Sequence, residues 1–298
     1  MIVSNITGGL GNQLFQYALG CHMAILNGTE HKIDVSGYLD ATPDPILGVR
    51  ICGLDNFNIT AKHASNEDIT QFNFLLKNKI FRHLMHFYST QNSYYKRKYI
   101  LEPEINYFKF DPSILAAKQN SDVYVEGYWQ TEKYFKNIEN IIRKEFSFKN
   151  NPGEVNTRMI KEIEGCNSVS VHVRHGDNMR MENGILPLEY YRSAVKEIAL
   201  RIKDPVFYVF SDDPEWTRDN LEIKYPTVFV SHNSDKKNFE DLRLMTYCKH
   251  HILGNSTFGW WGAWLGKKDG QIVFSPKSHH SYPNLPATDY IPAGWTFL

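Results

Sequence analysis

Residues 2–18, IVSNITGGLGNQLFQYA, decide how the chain begins to fold. Ile2 to Ile6 reads as a short strand, and Gly8-Gly9-Leu10-Gly11-Asn12-Gln13 as a glycine-rich turn. Leu14, Ala18, Cys21 and Ile25 then recur at the three- and four-residue spacing of a helix with one apolar face. His31 to Val35 is the next candidate strand. Strand, glycine turn, helix, strand is how a parallel α/β layer opens.

The same alternation returns further along. Val169 to Val173 (VSVHV), Val206 to Phe210 (VFYVF), Val228 to Val230, His251 to Leu253 and Gln271 to Phe274 read as strands. Between them, Leu188, Tyr191, Val195, Ile198 and Ile202 mark one helix, and Phe239 to Lys249 another. Strands alternating with helices predict a doubly wound parallel sheet. Phe148-Lys149-Asn150-Asn151-Pro152-Gly153 is polar with a Pro-Gly breaker pair and reads as a linker. The expected organisation is therefore two domains, 1–150 and 151–298, as two Rossmann-like parallel-sheet layers facing a cleft. The length of 298 residues agrees, at ~150 residues per domain.

Composition narrows the function classes. Thirty-three basic residues balance 33 acidic ones, which argues against broad capture of nucleic acid. No apolar run approaches the ~18 residues that cross a bilayer. Met1 to Asn5 lacks the charged and apolar regions of a signal peptide, so a cytoplasmic protein is expected. Cys21, Cys52, Cys166 and Cys248 are too scattered for a zinc motif and read as buried thiols. From Ile69 to Leu101 there is no acidic residue, while Lys77, Lys79, Arg82, Lys96, Arg97 and Lys98 fall there, with Phe74, Phe81, Met85 and Tyr88 at helical spacing. This stretch reads either as a peripheral membrane contact or as a packed helix with a solvated basic face.

Three polar clusters follow predicted strands, where open parallel sheets bind ligands. In His172-Val173-Arg174-His175-Gly176-Asp177, a guanidinium ends an apolar strand. A phosphate is its natural partner, and an ion pair to Asp177 the alternative. His172 alternates with the valines toward the side of Arg174. Asp212 and Asp213, in Ser211-Asp212-Asp213-Pro214, offer carboxylates to a guanine edge, to a divalent metal, or as the cap of a helix entered at Pro214. Asn255, Ser256, Thr257 and Phe258 lie where a helix starts, so they form either a diphosphate site or an ordinary N-cap.

On these residues the chain resembles the family-11 glycosyltransferases, the α-1,2-fucosyltransferases. GGLGNQLFQYA at 8–18, VSVHVRHGD at 169–177, FSDDPEW at 210–216 and NSTFGWWGAWL at 255–265 carry the likeness, and EGYWQTEKYF at 126–135 and LEYYRSAV at 188–195 fit as well. The resemblance implies a GT-B-type fold, with the extreme C-terminal tail packing back on the N-terminal domain. It also implies a GDP-fucose donor held mainly by the C-terminal domain, inversion at the fucose anomeric carbon, no metal, and a terminal β-galactose acceptor fucosylated at O2. Arg174, with Ser256 and Thr257, is then the group that neutralises the departing diphosphate. His172, Asp212, Asp213, Asn255 and Phe258 line the donor. Asp177 and Glu182 are the candidate bases, Glu182 falling at a distance comparable to a glutamate of the α-1,6-fucosyltransferases. Gly9, Gly11, Asn12 and Gln13 face fucose or acceptor, or else cap the first helix. Tyr128 and Trp129 stack on galactose, with one of the two expected in the core. Trp260, Trp261 and Trp264 are expected in the core as well. The chain departs from the family's His-x-Arg-Arg-x-Asp pattern at His175, which stands for the second Arg. A slower turnover or a sharper pH dependence would follow, and the residues do not separate the two.

Two other classes compete. Gly9-x-Gly11 followed by Asp34 suggests a Rossmann oxidoreductase, but Leu14 stands where the third glycine belongs. A non-catalytic glycan-binding protein would use the aromatic residues alone, and its sugar binding would ignore GDP. Neither class sets a use for the three clusters, and neither sets the oligomeric state.

Overall fold

The computed structural model describes residues 1–39, 50–72, 98–116, 122–176, 185–277 and 289–298. Contacts divide the chain into two compact units with a border between Ser147 and Phe148; Asp289 and Tyr290 belong to the first unit. Asp289 accepts a hydrogen bond from the Phe110 N–H at 2.7 Å, and the Tyr290 ring meets Phe108 edge-on at 5.2 Å.

The first unit holds a five-stranded sheet, every pairing parallel, in the order β3-β2-β1-β5-β4. Its strands are β1 (Ile2–Asn5), β2 (His31–Asp34), β3 (Lys62–His63), β4 (Tyr99–Leu101) and β5 (Val123–Glu126). The helix Leu10–Asn27 is buried over most of its length and ends at Gly28 in the left-handed region (φ 59°). Its Gly20 lies so close to the sheet that a Cβ there would stand 1.9 Å from Ser4 Oγ. Only a glycine permits that approach. The helix is tied down by Tyr17, whose hydroxyl donates to Glu145, and Glu145 also accepts from the Thr60 N–H at 3.0 Å.

The second unit holds a six-stranded sheet in the order β11-β10-β9-β6-β7-β8, again with every pairing parallel. Its strands are β6 (Asn167–Val173), β7 (Pro205–Ser211), β8 (Thr227–Val230), β9 (His250–Ile252), β10 (Val273–Ser275) and β11 (Thr296–Phe297). Val169, Val171 and Val173 pack with Tyr191, Val195 and Ile198 of the helix Leu188–Arg201. On the other face Tyr208 and Phe210 pack with Ile160 and Ile163 of the helix Glu154–Glu164, and with Leu244 and Met245 of the helix Asn238–Tyr247.

Both sheets reverse direction beside their first strand. The chain runs from β6 to β7 and β8, then returns to lay β9 on the opposite side of β6. In the first unit the corresponding break falls between β1 and β5. Connections leave such a break to opposite faces, so the carboxyl ends of the flanking strands open a crevice. The loops after β6 and β9, and after β1 and β5, are where each unit is shaped to bind.

Other sequence expectations resolve as follows. The first strand and the VSVHV and VFYVF strands form within a few residues of their expected limits, whereas β3 and β11 are two residues long and too short for any periodic signal. All four cysteines are free; Cys21 and Cys248 are buried, and Cys52 and Cys166 half-buried. Most of the basic stretch at 69–101 lies outside the described residues. Among the described residues no helix is long and apolar enough to cross a membrane.

Burial sets an acid limit on stability. It lowers His172 to about 4 and His251 to about 3, and it also lowers His31, His232 and His250. The unfolded chain protonates these rings below about 6.5 while the folded chain does not, so stability is lost as pH falls from there toward 4. Glu102, raised by burial to about 7, and Asp241, raised to about 6, act in the opposite sense over the same window. The histidines are more numerous, and His31 and His251 are the furthest displaced of these groups. A lower Tm at pH 5 than at pH 7 is expected in a thermal melt, and a Tm that rises on acidification would contradict this balance.

Candidate functional site

In the second unit the site is built outward from the end of β6. Arg174 keeps 26% of its side chain exposed, and its Nε lies 3.3 Å from Asp212 Oδ2. The other oxygen of Asp212 accepts the His175 N–H at 2.9 Å. Asp213 Oδ2 lies 2.9 Å from His175 Nδ1, and Asp213 Oδ1 accepts the Trp216 N–H at 3.2 Å, capping the helix Pro214–Asn220. The Trp216 indole then stacks on His175 with ring centroids 3.7 Å apart and planes 8° from parallel.

The adjacent carboxylates of the SDD cluster thus hold the β6 loop. Of the readings open to them, Asp213 realises the helix cap, while Asp212 forms an ion pair with Arg174. A carboxylate engaged with a guanidinium and a backbone N–H is a support for Arg174. Asp177 and Glu182, the candidate bases, lie outside the described residues. Among the described residues no three His, Cys, Asp or Glu side chains gather as a metal site.

Across the break, β9 leads into Gly254, Asn255 and Ser256. The Ser256 side chain accepts the Phe258 N–H at 3.2 Å, so the predicted N-cap opens the helix Thr257–Leu265 at the sheet edge. Tyr190 anchors the loop by donating to the Leu253 carbonyl at 2.8 Å. A Cβ on Gly254 would lie 2.5 Å from the His172 carbonyl oxygen and 3.0 Å from the Tyr191 hydroxyl. A Cβ on Gly259 would lie 2.9 Å from His172 Nδ1. These glycines let the β9 loop and its helix close on the end of β6. Buried at this edge, His172 Nδ1 and both amide atoms of Asn255 have no hydrogen-bond partner among the described residues, while the Tyr191 hydroxyl meets the backbone of Arg174. Burial and the neighbouring Arg174 charge hold His172 neutral near pH 7, so it offers hydrogen bonds and not charge. The Phe258 ring lies 5.6 Å from that of His172. Trp260, Trp261 and Trp264 are core residues packed on one another.

In the first unit the structure sorts the glycine-turn residues. Gly9 is the N-cap of the first helix and no side chain caps it, so neither Asn12 nor Gln13 takes that role. Gln13 is turned inward and 1% exposed. Its amide nitrogen lies 3.1 Å from the Gly8 carbonyl, 2.9 Å from the Tyr38 hydroxyl and 3.0 Å from the Ile51 carbonyl, and its oxygen accepts the Gly53 N–H at 2.8 Å. A side chain so engaged braces the loops around the glycine turn. Asn12 Oδ1 accepts from Gln130 at 2.9 Å, joining the turn after β1 to the loop after β5. Gly11 is buried in the first turn of the helix.

Of the two aromatics after β5, Trp129 is a core residue, 2% exposed and edge-on to Tyr134 at 5.8 Å; Tyr128 stays half-buried. Asp34, the ribose ligand of the oxidoreductase reading, is buried and engaged by the Tyr124 hydroxyl at 2.7 Å and the Ser36 N–H at 2.9 Å. That leaves no carboxylate for a ribose. Sequence reasoning passed over Tyr191, Trp216, Glu102 and Gln130. Tyr191 and Trp216 lie inside quoted motifs, and Glu102 ends the apolar triplet Tyr99-Ile100-Leu101, the same signal that singled out Arg174.

Comparisons with known proteins agree with this geometry. The chain is 30% identical over 309 residues to an alpha-1,2-colitosyltransferase of Escherichia coli, a match covering 99% of this chain and 98% of that protein. It is 30% identical over 158 residues to galactoside alpha-(1,2)-fucosyltransferase 1 of Ateles belzebuth, covering 49% of this chain and 43% of that one. The crystal structure of fucosyltransferase NodZ from Bradyrhizobium superposes with a TM-score of 0.51 at 15% identity, covering 92% and 94% of the two chains, which supports the GT-B kind of fold. The profile of glycosyl transferase family 11 matches residues 1–297. A parallel-sheet enzyme with an arginine and a capped helix start at its switch point, matched along its whole length, belongs to glycosyl transferase family 11.

Proposed function

We propose that this glycosyltransferase moves L-fucose from GDP-fucose to O2 of a terminal β-galactose, with inversion and without a metal. The observation that carries the donor half is the partly exposed Arg174 after β6, with the Ser256-capped helix opening after β9 on the other side of the same break in the sheet. A guanidinium and the free N–H groups of a helix start are the groups that hold a diphosphate. The acceptor half rests on the galactoside fucosyltransferase that the chain resembles over half its length.

The chemistry follows from charge. As the bond between the fucose anomeric carbon and the β-phosphate oxygen breaks, negative charge grows on the phosphate. Arg174, held by Asp212, meets it with a guanidinium, and the start of the helix Thr257–Leu265 adds its dipole. Asn255 and His172 supply neutral hydrogen bonds to the same group. The acceptor oxygen attacks from the opposite face, and its proton passes to Asp177 or Glu182. His175 is carried by Asp213 and Trp216 at the place of the family's second Arg, where it supports the diphosphate.

One observation favours a second donor. The relative matched along its full length transfers colitose, the 3-deoxy form of fucose. Product analysis separates the two: each nucleotide sugar is offered with lactose, N-acetyllactosamine and a Galβ1-3 acceptor, and the linkage is read by NMR. GDP is expected to raise the Tm in EDTA. Stabilisation that appears only with Mg²⁺ would overturn metal independence, and galactoside binding indifferent to GDP would overturn the transferase mechanism.

A further inference from the structure

Glu102 follows β4 and takes no part in the donor chemistry, yet it is 4% exposed at the carboxyl edge of the first sheet. A carboxylate removed from water is costly unless hydrogen bonds compensate it. Here one oxygen, Oε2, accepts the N–H of Tyr128 at 2.6 Å and the N–H of Trp129 at 2.9 Å. Burial pushes the carboxyl up, and the two N–H groups pull it back, to about 7.

The turn it holds is under strain. Trp129 has a φ of 56°, in the left-handed region that side chains avoid. Gly127 has a φ of 152°, and a Cβ there would lie 2.3 Å from the Cβ of Glu102. Strain of this kind persists only where the surroundings over-determine it, and it gathers at ligand sites. The strain separates two neighbouring rings. Trp129 goes into the core, while Tyr128 stays half-buried against the edge of Tyr107, with centroids 5.4 Å apart and planes at 68°. The next residue, Gln130, ties the loop to Asn12 at the switch point between β1 and β5. A carboxylate, a forced turn and a presented aromatic ring therefore stand together at the edge where this sheet is shaped to bind.

Taking the galactoside acceptor of the proposed function as the substrate, we propose that Glu102 is a positioning residue: its carboxylate locks the Gly127–Trp129 turn so that Tyr128 presents its ring to the acceptor sugar. Sugars pack apolar C–H faces on aromatic rings, and the gain depends on the ring's position.

The test is steady-state transfer from GDP-fucose to lactose by the full chain and by E102A, E102Q, Y128A and E102A/Y128A, each with a thermal melt. E102A is expected to raise the acceptor KM about three- to ten-fold. Donor KM and kcat should move by less than about two-fold, and E102Q, which keeps an oxygen for the two N–H groups, should largely restore the acceptor KM. The double variant should be no worse than Y128A, because both act through one ring. If E102A melts below the assay temperature, E102D, which withdraws the carboxylate by one methylene, is expected to show the same split. An unchanged acceptor KM, an additive double variant, or a loss in kcat alone would overturn the assignment. A wild-type enzyme that transfers nothing to lactose would overturn the proposed acceptor itself, an outcome distinct from an active enzyme indifferent to position 102.

Discussion

Arg174→Ala is expected to fold and to lose ~10²–10³ in kcat, about 3–4 kcal/mol of transition-state stabilisation, the scale set by removing one preorganised donor from a developing oxyanion. The side chain ends β6 beside the sheet's break and is partly open to solvent, so its removal leaves no cavity in the valine core behind it. Asp212 loses a cation but keeps the His175 N–H, which limits the cost to the fold. Donor binding should weaken less than kcat, because the charge that Arg174 meets grows as the diphosphate leaves. A radiometric GDP-fucose assay on protein of normal melting behaviour decides it. Turnover within a few-fold of wild type would remove Arg174 from the mechanism.

Gly254→Ala should damage fold and donor site together. Its Cβ would sit 2.5 Å from the His172 carbonyl oxygen, a backbone atom of the central strand, and 3.0 Å from the Tyr191 hydroxyl. No rotamer change relieves a collision with backbone, so the β9 loop must lift from β6. Overpacking of this kind costs about 1–3 kcal/mol, which lowers Tm by roughly 2–12 °C for a unit of this size. Lifting the loop also moves Asn255 and the helix start away from Arg174, so the stabilisation by GDP should shrink with it. Gly153→Ala is the control: nothing lies within 4 Å of its Cβ, and its Tm should stay within about a degree or two. If Gly254→Ala melts and binds GDP like wild type, the close approach of β9 to His172 does not shape the site.

Much of this was legible in the chain itself, and the exceptions share a cause. The glycine turn and the VSVHV strand announced themselves because apolar alternation and breakers are local signals. Arg174 stood out since a guanidinium at the end of an apolar strand demands a partner. Its described partner was not local: Asp212 directly follows β7, whose last residue, Ser211, pairs with Val173 at the end of β6. The internal partners of Gln13 were equally hidden, because Ile51 and Gly53 arrive from a distant loop. Glu102 carried the same local signal as Arg174, but its partners did not, being backbone N–H groups 26 and 27 residues away. Type and spacing reveal which groups bear chemistry, while the topology of the sheet decides what each one touches.

The stack of Trp216 on His175 also equips the enzyme for optical work. Trp129, Trp260, Trp261 and Trp264 are sealed in the interior, and Trp295 packs against Trp260. Trp216 is the indole placed beside the arginine loop, in face-to-face contact with an imidazole. Intrinsic fluorescence therefore carries a component from the loop proposed to meet the nucleotide, and donor arrival is expected to register in real time on unlabelled protein.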